Sequence, residues 1–195
     1  MHNIYKTNSF VIRFVPSGEA DGRIALFTQD FGLIWAKAQG IRHLKSKLRF
    51  SLQPYMLNEV ALVRGKGEWR ITNAKESENL HKNLSHESFL VLAHIFALIE
   101  KLLPGEEENK ELFSIILSGY EFIDKNTLEK RHLHDVEHVL VMRILNNLGY
   151  IGERARFHQF ISNDDWNMDL LEEMNKNQKL AREEINRALR ESQLV

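Results

Sequence analysis

The spacing of apolar residues changes near residue 79, and this change limits the possible folds more than any other feature of the sequence. Before that point, apolar and polar residues alternate in short runs between turn residues, which is typical of antiparallel β-structure. After it, apolar residues recur every three to four positions, as along one face of an α-helix. The sequence therefore predicts an α+β protein with a β domain over residues 1–78 and a helical domain over residues 79–195.

Short strands are predicted in the β domain over 5–15, 23–28, 33–38, 55–63 and 69–74. Pro16, Ser17 and Gly18 are expected to end the first strand, and the glycine-bearing loop 64–67 to join the last two in a hairpin. A longer basic connection joins the third strand to the fourth. Five strands in about 75 residues match the five-stranded OB barrel in count and size, so we expect an OB fold.

Four helices are predicted in the helical domain, over 86–103, from 106 to about 124, from after 127 to 148, and over 168–189. Ser85 is the expected N-cap of the first, and Pro104-Gly105 its stop. The acidic residues 106–108 favour a helix start because carboxylates stabilise the positive end of the helix dipole. Gly149 is the expected C-terminal cap of the third helix.

Charge is divided unevenly between the two predicted domains. Residues 1–75 carry 12 Lys and Arg against 5 Asp and Glu, a net charge of +7, whereas residues 76–195 carry 14 against 22, a net charge of −8. A positive field attracts polyanions and a negative one repels them. Contact with nucleic acid is therefore expected on the β domain, and the acidic half reads most simply as a solvated helical surface.

The basic segment, defined as GIRHLKSKLR over residues 40–49, is the candidate contact surface. It contains Arg42, Lys45, Lys47 and Arg49, and no acidic residue occurs from Phe31 to Asn58. Phosphates offset the mutual repulsion of such a run, and their neutralisation releases condensed counterions. Four more cations of the β domain would extend the surface: Lys37, Arg64, Lys66 and Arg70. The alternative is an ordinary solvated loop.

Four aromatic residues near the basic segment are candidates for stacking against bases: Trp35, Phe50, Tyr55 and Trp69. Bases stack on aromatic side chains in many proteins that bind single strands. Aromatic residues of a small barrel more often belong to its core. Both interpretations stay open from the sequence.

No arrangement of residues indicates catalysis or a metal. The chain has no cysteine, which excludes thiolate zinc sites and cysteine nucleophiles. In the sequence HLHDVEH, His134 and His138 are four residues apart, as helical metal ligands can be, but Glu137 does not follow the first histidine as the metalloprotease motif requires. We therefore expect a histidine cluster without a metal, and a protein that is neither an enzyme nor dependent on a cofactor.

Two other features lack the pattern of a reactive site. The loop 64–67, RGKG, does not have the spacing of a phosphate-binding loop and is expected to be a turn. The pair Asp164-Asp165 lies in a polar stretch without a recognisable nucleophile or base. Neither a secretory leader nor a membrane span is signalled by the sequence. The expectation is a cytoplasmic protein with no membrane partner.

Several ordered motifs resemble the N-terminal domain of the bacterial recombination mediator family RecO. They are GEAD at 18–21, LFTxxFGLIxAxAxG at 26–40, KSKLRxxxQP at 45–54 and RGKG at 64–67. The second part resembles the family more loosely, through LLP at 102–104, ELF at 111–113 and LGY at 148–150. The resemblance implies an OB fold followed by a helical domain, and binding of single- and double-stranded DNA. It further implies strand annealing, and partnership with RecR and single-stranded-DNA-binding protein to load the RecA recombinase.

The chain departs from the family at its C-terminal end. Many relatives carry a cysteine zinc motif after the LGY segment. This chain has no cysteine and therefore lacks that motif, so zinc is not expected. The family's helical domain can also hold the acidic, Phe-ended tail of single-stranded-DNA-binding protein, which needs an apolar pocket rimmed by cations. The candidate cations are Arg131, Arg143, Arg154 and Arg156. The leading hypothesis is a DNA-binding mediator, and the rival is a protein-interaction adaptor whose DNA contact is incidental.

Overall fold

The structure, a computed structural model, describes residues 3–77, 84–151, 155–162 and 165–192. Its first part contains β1 (Ile4–Ser17), β2 (Asp21–Thr28), β3 (Gly32–Ala38), β4 (Leu57–Arg64) and β5 (Trp69–Glu76). These strands close into a barrel in the order β1-β2-β3-β5-β4, in which β1 also pairs with β4. The β3 and β5 pair is parallel and the others are antiparallel. The predicted five-stranded OB barrel followed by helices is confirmed.

At the end of β1 and at the start of β4, the strand bounds differ from the predicted ones because the turns lie elsewhere. β1 continues through Pro16 and Ser17, which pair with β2, and the chain turns at Gly18 with φ +65°. A left-handed backbone suits glycine because it has no Cβ to clash. β4 begins only at Leu57, because Tyr55 has a φ of 67° and donates its backbone N–H to Val11 O at 2.7 Å.

Alternate residues of the strands fill the barrel interior, as the period of two requires. The buried core is formed by Val11, Ile24, Leu26, Ile34, Ala36, Ala38, Ile41, Leu52, Val60, Leu62, Trp69 and Ile71. Ile41 and Leu52 come from the connection between β3 and β4, so both ends of the basic connection are anchored in the core. That connection contains a short helix, α1 (Lys47–Ser51), which the sequence interpretation had not predicted.

The later helices are α2 (His86–Leu102), α3 (Lys110–Lys125), α4 (Lys130–Asn147), α5 (His158–Ile161) and α6 (Met168–Glu191), with a 3₁₀ turn at Ala155–Phe157. Ser85 caps α2 as predicted, since its Oγ accepts the Ser88 N–H at 3.1 Å. Gly149 follows α4 with φ +80°. The 3₁₀ turn and α5 were not predicted. No helix among the described residues combines the length and apolar character that a membrane crossing needs.

The predicted start of a helix at residue 106 is wrong, since α3 begins at Lys110. Gly105 has a φ of +148° and its carbonyl accepts the Leu33 N–H of β3 at 3.3 Å. Glu107 lies so close to Gly32 that a Cβ there would come within 2.1 Å of the Glu107 carbonyl oxygen. The segment before α3 is therefore used to cover the β2–β3 turn, and its carboxylates do not cap a helix.

The chain divides into two compact units. One comprises Met1–His81 with Ile99–Lys110, and the other comprises Lys82–Leu98 with Glu111–Val195. The predicted boundary after residue 78 falls within 78–83, outside the described residues, and stays a prediction. In the second unit α4 packs against α6, where the buried Asp135 carboxylate accepts from Gln178 Nε2 at 2.7 Å.

Candidate nucleic-acid interface

The basic segment is tied at its start to the turn between β1 and β2. Gly40 has a φ of +66°, and its N–H donates to Asp21 Oδ1 at 2.9 Å. Arg42 donates its backbone N–H to Ala20 O at 2.9 Å and its Nη1 to Gly18 O at 2.6 Å. The GEAD motif at 18–21 thus fixes the direction in which the segment leaves the barrel.

Asp21 also holds the first of the additional cations, Lys37, at an Nζ–Oδ2 distance of 2.9 Å. The hydrogen bond from Gly40 N–H, followed by that from Lys37, lowers the pKa of Asp21 below its ordinary value. Hydrogen bonds to a carboxylate favour its ionised form. At neutral pH one charged carboxylate therefore organises both the start of the segment and a strand cation.

Successive turns carry the chain from Gly40 into α1. The His43 N–H donates to Gly40 O at 3.1 Å and the Ser46 N–H to His43 O at 3.0 Å. A five-residue helix is not stable alone. Leu48 packs against the barrel core and Leu52 is buried in it, so burial of these two side chains on one face holds α1 in place.

The four predicted cations of the basic segment, Arg42, Lys45, Lys47 and Arg49, are all exposed. None of them makes an ion pair within the parts of the chain that the structure describes. Arg42 and Arg49 both line a concavity of about 440 Å³ that Phe14 also lines. The segment therefore presents uncompensated positive charge beside a partly apolar depression.

The other predicted cations divide into two kinds. Lys37 is paired with Asp21, and Arg64 is paired with Glu106 at 2.8 Å. Lys66 and Arg70 are exposed and make no ion pair with any described residue. Lys37 and Arg70 line a second concavity together with Leu48 of α1. These strand cations thus adjoin the short helix of the basic segment.

Strand register brings together a line of cations that the sequence interpretation had not assembled. Arg23 pairs with Lys37 across β2 and β3, and Lys37 pairs with Arg70 across β3 and β5. Residues directly opposite one another share a face, so three cations follow each other on adjacent strands. Arg13 and Arg23 also lie over the Trp35 ring, at 5.2 and 5.4 Å from its centroid. The signal for Arg13 and Arg23 in the sequence was a charged residue next to apolar residues of a strand.

The four candidate stacking aromatics have different environments. Trp69 is 3% exposed and belongs to the core. Trp35 is half-buried and covered by two arginines, and Tyr55 is half-buried. Phe50, by contrast, is 71% exposed on α1. Of the four, Phe50 alone offers a largely open ring.

The four cations proposed to rim a pocket of the helical unit have different environments, and one of them is buried. Arg143 is 1% exposed: its Nε donates to Phe160 O at 2.8 Å and its guanidinium lies over Trp166. The prediction that Arg143 faces a partner is corrected by this burial. Arg131 is exposed and paired with Glu129, and Arg156 is exposed. Arg154 lies outside the described residues.

The histidine cluster surrounds a carboxylate. Glu137 accepts from His94 Nδ1 at 2.9 Å and lies 3.8 Å from His134 Nδ1, whereas His138 Nδ1 faces His134 O at 2.7 Å. In the described ranges no group of three or more His, Asp or Glu side chains is placed to hold a metal ion. The loop 64–67 is a hairpin turn, as predicted, in which Gly65 N–H donates to Glu68 O. Asp164 lies outside the described residues.

Comparison with known proteins finds a family match over the residues of the barrel. Residues 1–79 match the model of the family described as Recombination protein O N terminal. The DNA repair protein RecO of Dehalococcoides mccartyi is 33% identical over 127 residues, covering 63% of this chain and 49% of that protein.

Two further relatives named DNA repair protein RecO cover more of the chain. That of Thermodesulfovibrio yellowstonii is 27% identical over 153 residues, or 76% of this chain and 59% of the relative. That of Heliobacterium modesticaldum is 28% identical over 156 residues, or 77% of this chain and 53% of the relative. The chain thus spans about half the length of the curated relatives it matches. Residues 1–79, which form the OB barrel, thus match the N-terminal domain of the RecO family.

Proposed function

We propose that this chain acts in the cytoplasm as a recombination mediator in DNA repair. It binds single- and double-stranded DNA through the basic surface of the barrel and anneals complementary strands. With RecR, it helps load RecA on DNA coated by single-stranded-DNA-binding protein. It performs no bond chemistry and takes no cofactor.

One observation carries this proposal: four exposed cations of the basic segment have no ion pair among the described residues. They lie on the connection between β3 and β4 of the closed OB barrel. This connection is fixed at Gly40 and at Leu52. Cations held on a firm backbone contact phosphates without first breaking an ion pair. Phosphate contacts supply most of the affinity of proteins that bind DNA without sequence preference. The names of the matched relatives support the same role.

Annealing follows from phosphate neutralisation. Two complementary strands repel each other through their backbones, and bound cations reduce that repulsion. The line formed by Arg23, Lys37 and Arg70 and the basic segment give the barrel more than one basic stretch. Because contacts to the backbone leave base edges free, the bases pair by their own complementarity.

The test is binding of a labelled oligothymidine strand to the full chain at several salt concentrations. In the variant, Arg42, Lys45, Lys47 and Arg49 are all replaced by Gln. Each lost phosphate contact lowers the slope of log affinity against log salt by about 0.7 for single strands, so we expect a slope smaller by about 3. Affinity at low salt falls about a hundredfold. The rate of annealing of two labelled complementary strands falls with it.

The matched control replaces two lysines and two arginines of the helical unit by Gln: Lys130, Lys179, Arg182 and Arg190. All four are exposed, and the net charge changes by the same amount. This control should keep the salt slope of the unmodified chain. An unchanged slope in the basic-segment variant would refute the proposed surface. A wild-type chain that binds no DNA at low salt would refute the function itself.

A protein-interaction adaptor is the second candidate, favoured by one observation. Leu44 and Phe50 of the basic segment are 82% and 71% exposed, and exposed apolar side chains often mark protein contacts. An acidic protein surface would satisfy the cations in place of phosphates. Co-elution with purified RecR or single-stranded-DNA-binding protein, together with absence of DNA binding at low salt, would favour the adaptor.

A further inference from the structure

Phe50 is an aromatic side chain that the barrel does not use for its core. It lies near the end of α1 and is 71% exposed. The apolar side chains that anchor this helix are Leu48, packed against the core, and Leu52, buried in it. A phenyl ring that stays exposed to water contributes no hydrophobic free energy to folding. Stability of the barrel therefore does not explain a phenylalanine at this position.

The geometry of α1 fixes the direction of the ring. At 3.6 residues per turn, Phe50 lies about 200° around the helix from both Leu48 and Leu52. Those two leucines define the face that enters the barrel. Phe50 is consequently on the opposite face and directed toward solvent, as its exposure also shows.

Two exposed cations are close to Phe50 in the chain. Lys47 is one turn before Phe50 and shares its side of the helix, and Arg49 precedes it in the chain. Both are exposed, and neither forms an ion pair among the residues described. An open ring on a short helix that also carries two such cations matches a nucleotide, whose flat base is attached to a charged phosphate backbone.

We infer that Phe50 stacks on an unpaired base of single-stranded DNA while Lys47 and Arg49 contact the neighbouring phosphates. This inference rests on the proposed function and adds a preference for single strands. In a duplex the faces of the bases are already stacked, so the ring gains nothing there. Base–aromatic stacking is sequence-tolerant because every base has a π-face.

A protein surface is the other conceivable occupant of Phe50. The charge of the segment argues against it: four cations occur in the eight residues before Phe50, and no acidic residue occurs from Phe31 to Asn58. Polyanions satisfy such a run better than a mixed protein surface does. Leu44, 82% exposed in the same segment, serves as an internal comparison because it is apolar but has no π-face.

The experiment measures affinity of the full chain for three probes of equal length: an oligothymidine, an abasic strand with the same phosphates, and a blunt duplex. The variants are F50A, F50L and F50Y, with L44A as the control. F50A should bind oligothymidine about five- to tenfold more weakly, as expected for loss of one stacked base. Its affinity for the abasic strand and the duplex should be unchanged. F50Y should bind like the unmodified chain, and F50L like F50A.

Because Phe50 is outside the core, the variants should melt at the temperature of the unmodified chain, which circular dichroism verifies. Equal weakening on the abasic strand, or no weakening on oligothymidine, would overturn the inference. So would an F50L that binds like the unmodified chain, since an apolar contact alone would then suffice. Failure of the unmodified chain to bind any probe at low salt would instead refute the proposed function.

Discussion

Two sets of cations on the same barrel differ in what they already contact. The strand set consists of the four strand cations that have an acidic partner: Arg13 has Glu100 at 2.8 Å, Arg23 has Glu68 at 3.9 Å, Lys37 has Asp21 at 2.9 Å and Arg64 has Glu106 at 2.8 Å. Arg70 of β5 and Lys66 of the loop 64–67 have no such partner among the described residues and belong to neither set. The basic segment has four cations for which no such partner occurs among the described residues. The net charge of residues 1–75 counts paired and unpaired cations alike, so it does not distinguish the two sets.

The difference matters for attraction and for contact. At long range an ion pair cancels its own two charges, so the positive field comes from the unpaired cations, which include those of the basic segment. At short range a paired cation must share or break its ion pair before it binds a phosphate. Exposed ion pairs are individually weak, at about 0 to 1 kcal/mol, so the strand set is hindered but not blocked. The segment should therefore make the main contacts, with the strands in support.

The largest effect expected from this comparison is a difference between two double variants. Lys45→Gln with Lys47→Gln should lower affinity for single-stranded DNA about tenfold at low salt, because two direct phosphate contacts are lost. Lys37→Gln with Arg64→Gln should lower it about threefold, mainly through the weaker field. Fluorescence anisotropy with a labelled oligothymidine measures both.

The two double variants change the net charge equally, so each is the control for the other. Thermal melting shows whether either one has lost its fold. A larger effect from the strand pair than from the segment pair would reverse the comparison and place the main contacts on the strands.

A smaller effect of opposite sign is expected when an acid of the strand set is removed. Glu106→Gln releases Arg64 from its 2.8 Å ion pair and deletes a negative charge from the barrel surface. Affinity for single-stranded DNA should rise about two- to threefold at low salt, and the gain should fade as salt screens it.

Glu121→Gln is the control for that change, since Glu121 also forms an exposed ion pair, with Lys125, but on α3 of the helical unit. It should leave affinity unchanged. Weaker binding by Glu106→Gln would mean that the ion pair holds Arg64 in a useful position, and the hindrance assigned to pairing would be wrong.

The fold could be predicted from the sequence because its signals are local. The alternation within each strand and the turn residues between strands gave five strands, and closure followed from their number and size. The ends of β1 and β4 were less predictable, because they depend on left-handed backbone at Gly18 and Tyr55. A tyrosine in that conformation is held by its bond to Val11, far away in the sequence.

The candidate site was less predictable because its electrostatics depends on partners distant in the chain. The basic run at 40–49 was visible, but the ion pair of Arg64 with Glu106 joins residues 42 positions apart. Arg143 looked available although it lies within an apolar stretch of α4, and its partner Phe160 O comes from α5. The exposure of Phe50 depended on a short helix that only tertiary packing stabilises.

The smallest expected effect concerns Asp21, the carboxylate shared by the two sets. Its pKa is lowered by the hydrogen bond from Gly40 N–H and then by Lys37. Because the folded-state pKa lies below the ordinary value of 3.8, ionised Asp21 stabilises the fold above that pH. This contribution is lost as pH falls through the folded-state pKa. Asp21→Asn should therefore melt at a lower temperature than the unmodified chain at pH 7, and the gap should close as the pH falls below 3.8 through the folded-state pKa.

Circular dichroism melting of both proteins across this pH range measures the gap, and Glu19→Gln controls for loss of one negative charge from the same turn. A gap that does not change with pH would show that the Asp21 charge contributes nothing to stability.

If Asp21→Asn also releases Lys37 without loosening Gly40, affinity for DNA should rise slightly, as for Glu106→Gln. If the affinity for DNA falls instead, the anchoring of the basic segment through Gly40 matters more than the pairing of Lys37. A segment that is no longer held at Gly40 loses the fixed backbone that makes its cations effective.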